Sequence, residues 1–194
     1  SSRRLHTRYI SVTGLQTCAL PISQDCLYTL ITKHADGKQD FQVIGSIIDY
    51  LFAPDSPAKV IEKLIDPAIR IVSLTITEGG YSFDRVTGEF DPKTPGVKED
   101  LQDSTNPKSA FGFIYEGLKK RRELGIAPFT IQSCDNIQGN GDVAKKMMIA
   151  FAEIKDPTFA EWMENSVAFP NSMVDRITPV TAPEDVALAQ KGIG

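Results

Sequence analysis

The chain has 194 residues, room for one large domain or one and a half small ones. Its 41% hydrophobic and 24% charged content is ordinary for a globular protein. Of the 21 basic residues, three (Arg3, Arg4, Arg8) fall in residues 1–23, which hold no acid; the remaining 18 face 25 acids, a net of −7, so no basic stripe is left for nucleic acid. No apolar run reaches the roughly 18 residues of a membrane span. Cys18, Cys26 and Cys134 are odd in number and lack CxxC spacing, which argues against a disulfide framework or a zinc site and for a reducing, cytoplasmic setting.

Residues 1–23 stand apart. Val12–Ile22, VTGLQTCALPI, resembles a translated sequencing-library adapter, so the segment is expected to be a non-native leader and His6 and Cys18 are set aside. An Arg- and Ser-rich transit peptide is the alternative. Leu27–Ile31 then predicts a strand, His34–Gly37 a turn, and Phe41–Ile48 a second strand in a hairpin with the first. Ser56 and Pro57 predict a helix start with Ser56 as cap; Val60, Ile61, Leu64 and Ile65 form its apolar face, and Asp66-Pro67 ends it.

Ile69–Thr77 is a nearly unbroken apolar run, the pattern of a parallel strand covered on both faces. Glu78 and paired glycines follow it, and Gly79 and Gly80 are expected to supply unusual dihedrals and a close backbone approach. Residues 88–96 read as loop. Asn106-Pro107 opens a helix that buries Phe111, Ile114, Tyr115 and Leu118; Lys119–Arg122 lie at its carboxyl end, favoured there by the helix dipole, and Gly125 ends it. Phe129–Gly141, FTIQSCDNIQGNG, repeats the earlier layout: a strand that stops at a polar edge, turns and feeds a helix carrying Val143, Met147, Phe151 and Ile154. Phe159 and Trp162 mark a short helix, Val167–Phe169 a last strand, and from Ala182 the pattern fades.

Strand and helix alternate, as in an α/β fold: Rossmann-like, with a mostly parallel sheet and flanking helices. In such sheets ligands sit beyond the carboxyl ends of the strands, where Asn136 is placed to offer its amide to a substrate oxygen. No G-x-G-x-x-G occurs, so either the domain does not bind a dinucleotide or its beginning is missing; the fold is expected to be incomplete, with its first βαβ unit missing.

Three blocks, Ile71–Tyr81 (IVSLTITEGGY), Phe129–Asn136 (FTIQSCDN) with Gly139–Gly141, and Phe169–Pro179 (FPNSMVDRITP), resemble the long-chain mannitol dehydrogenase family. That family also contains fructuronate and tagaturonate reductases and arabinitol dehydrogenases; SLTITEGGY is nearest to its mannitol 2-dehydrogenase branch. The resemblance runs from about Asp25 to Thr181. It implies that 24–194 form a partial NAD(P)-binding domain of a metal-independent oxidoreductase that interconverts a polyol and a ketose, such as mannitol and fructose, by hydride transfer. The family's helical domain, with its K-x-x-x-x-N-x-x-H pattern, is not in this sequence, so the segment alone is expected to be inactive. A hexuronate reductase of the same family and a non-catalytic α/β binding module are the alternatives.

By the same resemblance Asn136 is the catalytic residue, holding the substrate oxygen as charge develops, and Glu78 and Asp175 line the NAD or NADP site; Thr75, alternating with apolar residues, and Gly79, by its open backbone, are further candidates to contact the cofactor. Arg176 is placed to pair with Asp175, and Asn171 is a weaker candidate for polar lining. Each has a plainer reading: Asn136 as a turn or cap residue, Glu78 as a solvated acid, Asp175 and Arg176 as a structural ion pair, Thr75 as a strand-face residue. Ser133 or Cys134 as nucleophile would need His34, which sits in a surface turn. Met147-Met148 reads as core. Glu78, Asn136 and Asp175 are expected to converge on one crevice.

Overall fold

The computed structural model describes residues 25–84, 86–174 and 182–193, together with the backbone of 9–12. In chain order the strands are β1 (Tyr9–Val12), β2 (Tyr28–Lys33), β3 (Gln39–Ile44), β4 (Ile47–Leu51), β5 (Ile71–Leu74) and β6 (Thr130–Ser133). The helices are α1 (Pro57–Ile65), α2 (Val97–Gln102), α3 (Ala110–Glu123), α4 (Asn140–Lys155), α5 (Pro157–Ser166) and α6 (Pro183–Ile193), with one 3-10 turn at Glu78–Tyr81. The chain divides into two compact units, Ser1–Ala53 with Arg176–Gly194, and Pro54–Asp175.

In the first unit β2 and β3 form the expected antiparallel hairpin, with Tyr28 opposite Ile44 and Lys33 opposite Gln39. The predicted strand Phe41–Ile48 is divided in two, because its halves have different partners. β3 pairs with β2, whereas β4 pairs parallel with β1, so the run breaks at Gly45-Ser46. β1 lies inside the segment expected to be a leader; His6, Cys18 and the rest of residues 1–24 lie outside the described residues. The pattern was expected to fade from Ala182, yet α6 forms there. Pro183 opens it and Glu184 and Asp185 in its first turn complement the helix dipole. Lys33 Nζ pairs with Asp185 Oδ1 at 2.6 Å.

The second unit is built on parallel strands β5 and β6, with Ile71 opposite Thr130 and Leu74 opposite Ser133. β5 is shorter than the predicted Ile69–Thr77, and it is not covered on both faces: Leu74 is buried while Ile71 is 56% exposed. Beside β6, Ile131 N–H donates to Ala168 C=O at 3.0 Å, so Val167–Phe169 contributes a ladder bond without forming the predicted strand. In α1, Val60, Ile61 and Leu64 are buried; Ser56 holds the cap position but makes no side-chain cap bond.

α3 starts three residues after the predicted Asn106-Pro107, because its cap is Ser109, whose Oγ accepts from Gly112 N–H at 3.2 Å. The buried Asp100 carboxylate fixes that start, accepting from Lys108 N–H, Ser109 N–H and Ser109 Oγ at 2.9, 2.8 and 2.6 Å. Phe111, Ile114, Tyr115 and Leu118 are buried as expected. In α4 the buried stripe is Ala144, Met147, Met148, Phe151 and Ala152; Ile154 is exposed, against expectation. Phe111, Tyr115, Phe151 and Phe159 pack as a chain of rings with centroids 4.9–5.7 Å apart.

Arg121 departs most from its predicted role. Expected only as one of four charges favoured by the dipole at a helix end, it is 2% exposed. Its Nε donates to Leu64 C=O at 2.7 Å, Nη1 to Ala127 C=O at 2.7 Å, and Nη2 to Asp66 and Ile69 C=O at 2.6 Å each. Its guanidinium also lies 5.0 Å from the Phe129 ring centroid. One side chain thereby ties the end of α1 to the starts of β5 and β6.

Candidate functional site

Because β5 and β6 are parallel neighbours, both leave the sheet at the same edge, where Cys134 N–H donates to Leu74 C=O at 2.8 Å and Asp135 reaches residues 76, 77 and 81. β5 stops at Leu74 because the next amides are taken by a carboxylate from across the sheet. Asp135 Oδ2 accepts from Ile76 N–H at 3.1 Å and Oδ1 from Thr77 N–H at 2.9 Å. Thr77 is bent to φ 63° and ψ 169°, a conformation otherwise left to glycine. The Glu78–Tyr81 turn follows, and Tyr81 Oη returns beneath it to donate to Asp135 Oδ2 at 2.8 Å, with Ser133 Oγ 2.6 Å away. Burial pushes the Tyr81 hydroxyl well above its ordinary pKa; the bond to Ser133 opposes this, and Asp135 adds to it.

The sequence placed the unusual dihedrals on Gly79 and Gly80. They fall instead on the residues flanking the turn, Thr77 and Ser82, at φ 63° and 52°. Gly80 is needed for space, since a Cβ there would lie 2.7 Å from Ile76 Cβ. Gly79 faces open space, with nothing within 4 Å of a Cβ position.

Thr75 is the first residue past β5, Glu78 and Gly79 open the 3-10 turn, and Asn136 is the third residue past β6; all four are exposed. Thr75, Glu78, Gly79 and Asn136 thus share one sheet edge. Asp175 and Arg176 lie outside the described residues. Asn171 does not line this edge as a free amide: its Oδ1 accepts from Gly141 and Asp142 N–H at 2.8 and 3.2 Å, capping α4, and its Nδ2 donates to Asp142 at 3.0 Å. A Cβ at Gly141 would lie 2.5 Å from Pro170 C=O, so the segment before Asn171 crosses directly over the start of α4. Ser133 is fully buried, and His34 is bonded to Asp40 at 2.7 Å in the exposed hairpin turn. Among the described residues no group of three His, Cys, Asp or Glu is arranged to hold a metal ion.

Sequence reasoning passed over Asp135, Tyr81, Asn140 and Ser172, which shape this edge. The signal available was Asp135 itself, an acid following directly on a buried strand and next to the singled-out Asn136. Asn140, 3% exposed, donates from Nδ2 to Asp135 C=O at 3.1 Å and to Ser172 C=O at 2.9 Å. Ser172 N–H donates back to Asn140 Oδ1 at 2.9 Å, and Ser172 Oγ donates to Ser133 C=O.

The mannitol dehydrogenase Rossmann domain family matches residues 6–191. The chain is 48% identical over 162 residues to the Gluconobacter oxydans polyol:NADP oxidoreductase, covering 84% of this chain and 33% of that protein. It is 48% identical over 172 residues to an Aspergillus fumigatus mannitol 2-dehydrogenase, covering 87% and 34%. The chain therefore spans about a third of the length of these relatives. Among solved structures it resembles a D-sorbitol dehydrogenase in substrate-free form, with TM-score 0.91 and 41% identity over 96% of this chain and 40% of that one. It also resembles the Pseudomonas fluorescens mannitol 2-dehydrogenase ternary complex with NAD and D-mannitol, with TM-score 0.83 and 45% identity over 88% and 35%. The alternating strand and helix pattern, the parallel β5–β6 pair and this match over nearly the whole length agree, and the chain belongs to the mannitol dehydrogenase Rossmann-domain family.

Proposed function

We infer that the chain forms the cofactor- and substrate-facing edge of an NAD(P)-dependent oxidoreductase that interconverts a polyol and its ketose, mannitol and fructose being the leading pair. One observation carries this reading: Thr75, Glu78, Gly79 and Asn136 stand exposed together where two adjoining parallel strands end. The relatives' names support it, one reading NADP and one solved structure holding NAD.

The residues present fit a nicotinamide cofactor at this edge. The backbone at Gly79 is open to close approach, and the bend at Thr77 turns the Glu78 segment out of the sheet. The first amides of α4 are already held by Asn171, so the cofactor's phosphates are not assigned to that helix end. Thr75, Glu78, Gly79 and Asp175 would hold the cofactor, which supplies or accepts the hydride. Asn136 would donate its amide to the substrate oxygen, opposing the negative charge that develops there. The acidic balance of the chain argues against nucleic acid as partner, and Cys26 and Cys134 are free thiols, in keeping with the cytoplasm.

The test is NADH and NADPH oxidation with fructose and with fructuronate, by the protein translated from the complete reading frame. Faster turnover of fructose supports the polyol assignment. A preference for fructuronate overturns it in favour of a hexuronate reductase, and no turnover of either overturns the oxidoreductase reading.

A further inference from the structure

We propose that Asp135 and Asn140 are positioning residues of this site: together they tie the Glu78 turn and the Ser172 segment to the stretch that carries Asn136. The proposal rests on the oxidoreductase reading above for its effect on turnover, and on geometry alone for the clamp itself.

Neither residue is placed to touch a ligand. Asp135 is 9% and Asn140 3% exposed, while Thr75, Glu78, Gly79 and Asn136 are the exposed ones. Asp135 uses both carboxylate oxygens inward, on Ile76 N–H, Thr77 N–H and Tyr81 Oη. Those two amides flank and include the residue whose backbone has left the ordinary regions, and the Thr77 side chain makes no cap bond of its own. A β-branched residue at φ 63° is held there by its surroundings, and this carboxylate is the group in contact with it. On its main-chain side Asp135 is gripped by Asn140, whose amide also pairs with both the N–H and the C=O of Ser172. Three stretches far apart in sequence are thereby locked through two side chains, and the exposed residues between them inherit their positions.

Asp135→Asn removes one acceptor oxygen and turns an NH2 group on to a donor, while hardly changing shape. In the full-length protein it is expected to lower kcat for ketose reduction by about 10²-fold, the scale of a misplacement of about 1 Å. Thr77→Gly, placed in the Asp135→Asn background, lets the backbone take the same bend unaided and is expected to return kcat to within about tenfold of the parent. In the 194-residue chain, amide exchange at Ile76 and Thr77 should accelerate in Asp135→Asn, and at Ser172 in Asn140→Ala. The proposal is overturned if kcat per folded molecule is unchanged in Asp135→Asn. It is equally overturned if the double variant folds but recovers nothing, or if exchange at Ile76, Thr77 and Ser172 is unaltered. Should the full-length parent reduce no ketose, the oxidoreductase reading fails, and the exchange measurements alone still decide whether the clamp exists.

Discussion

Arg121→Met is the sharpest test of how this unit is held together. Methionine matches the aliphatic stem of arginine but donates nothing, so the Leu64, Asp66, Ile69 and Ala127 carbonyls lose their partner together. Replacing a buried ion pair by hydrophobes is often neutral because both partners disappear. Here the partners are backbone and stay. An orphaned buried acceptor costs about 1–3 kcal/mol. Leu64 is buried, whereas Ala127 is exposed and able to recruit water. Taking the low end, about 1 kcal/mol, for each of the three buried and half-buried carbonyls, and about 0.5–2 kcal/mol for the lost contact with Phe129, the net loss is about 3–5 kcal/mol against a typical total of about 5–15 kcal/mol. Urea unfolding of the 194-residue chain followed by circular dichroism reads it. With a slope of about 1–3 kcal/mol per molar, the midpoint should fall by at least about 1 M. Arg121→Lys keeps the charge but not the planar fork and should fall between the two. A midpoint for Arg121→Met within about 0.3 M of the parent would refute the reasoning.

Other outcomes follow from the same geometry. On the proposed oxidoreductase reading, Asn136→Ala in the full-length protein should cut kcat for ketose reduction by about 10²–10³ with the fold intact by circular dichroism; full activity would remove Asn136 from that proposal. Gly141→Ala drives a methyl on to Pro170 C=O and should destabilise by about 1–3 kcal/mol in the same urea assay. Burial pushes Tyr115 up to about 12 and Tyr81 further still. Both then favour the folded state fully below their ordinary value of 10.0, and that stability drains away as pH rises from there towards the folded values. Absorbance at about 295 nm should therefore show these two tyrosines ionising only as the chain unfolds. Asp156 is depressed by its bonds to Thr158 and Phe159. It supports α5 above its ordinary value of 3.8 and ceases to as pH falls below that, so Asp156→Ala should lower Tm at pH 7 more than at pH 2.

The sequence spoke clearly where structure is local. The hairpin, the apolar faces of α1 and α3, and the polar ends of β5 and β6 are written in short-range patterns. It misled where the deciding partner is remote. Nothing in the run Ile71–Thr77, IVSLTIT, says that β5 ends at Leu74; Asp135 decides that. Arg121 was not set apart from its neighbours in Lys119–Arg122 because its four acceptors come from other segments. α6 was missed because its apolar positions are weak, and its terminal Pro183, Glu184 and Asp185 were the better guide. Asn171 looked like lining because helix capping thirty residues away leaves no mark on its neighbours.

The bonds from Asp135 and Ser133 to Ile76, Thr77 and Tyr81 close chain intervals of 52 to 59 residues. Such long-range closures form only after the intervening chain has been gathered in, at an entropic cost that local turns escape. This strand-end edge should consequently be the slowest part of this unit to mature: in stopped-flow refolding, helical ellipticity should return before the buried environment of Tyr81, and a newly collapsed chain should pass through a stage with its helices in place and this edge still unformed.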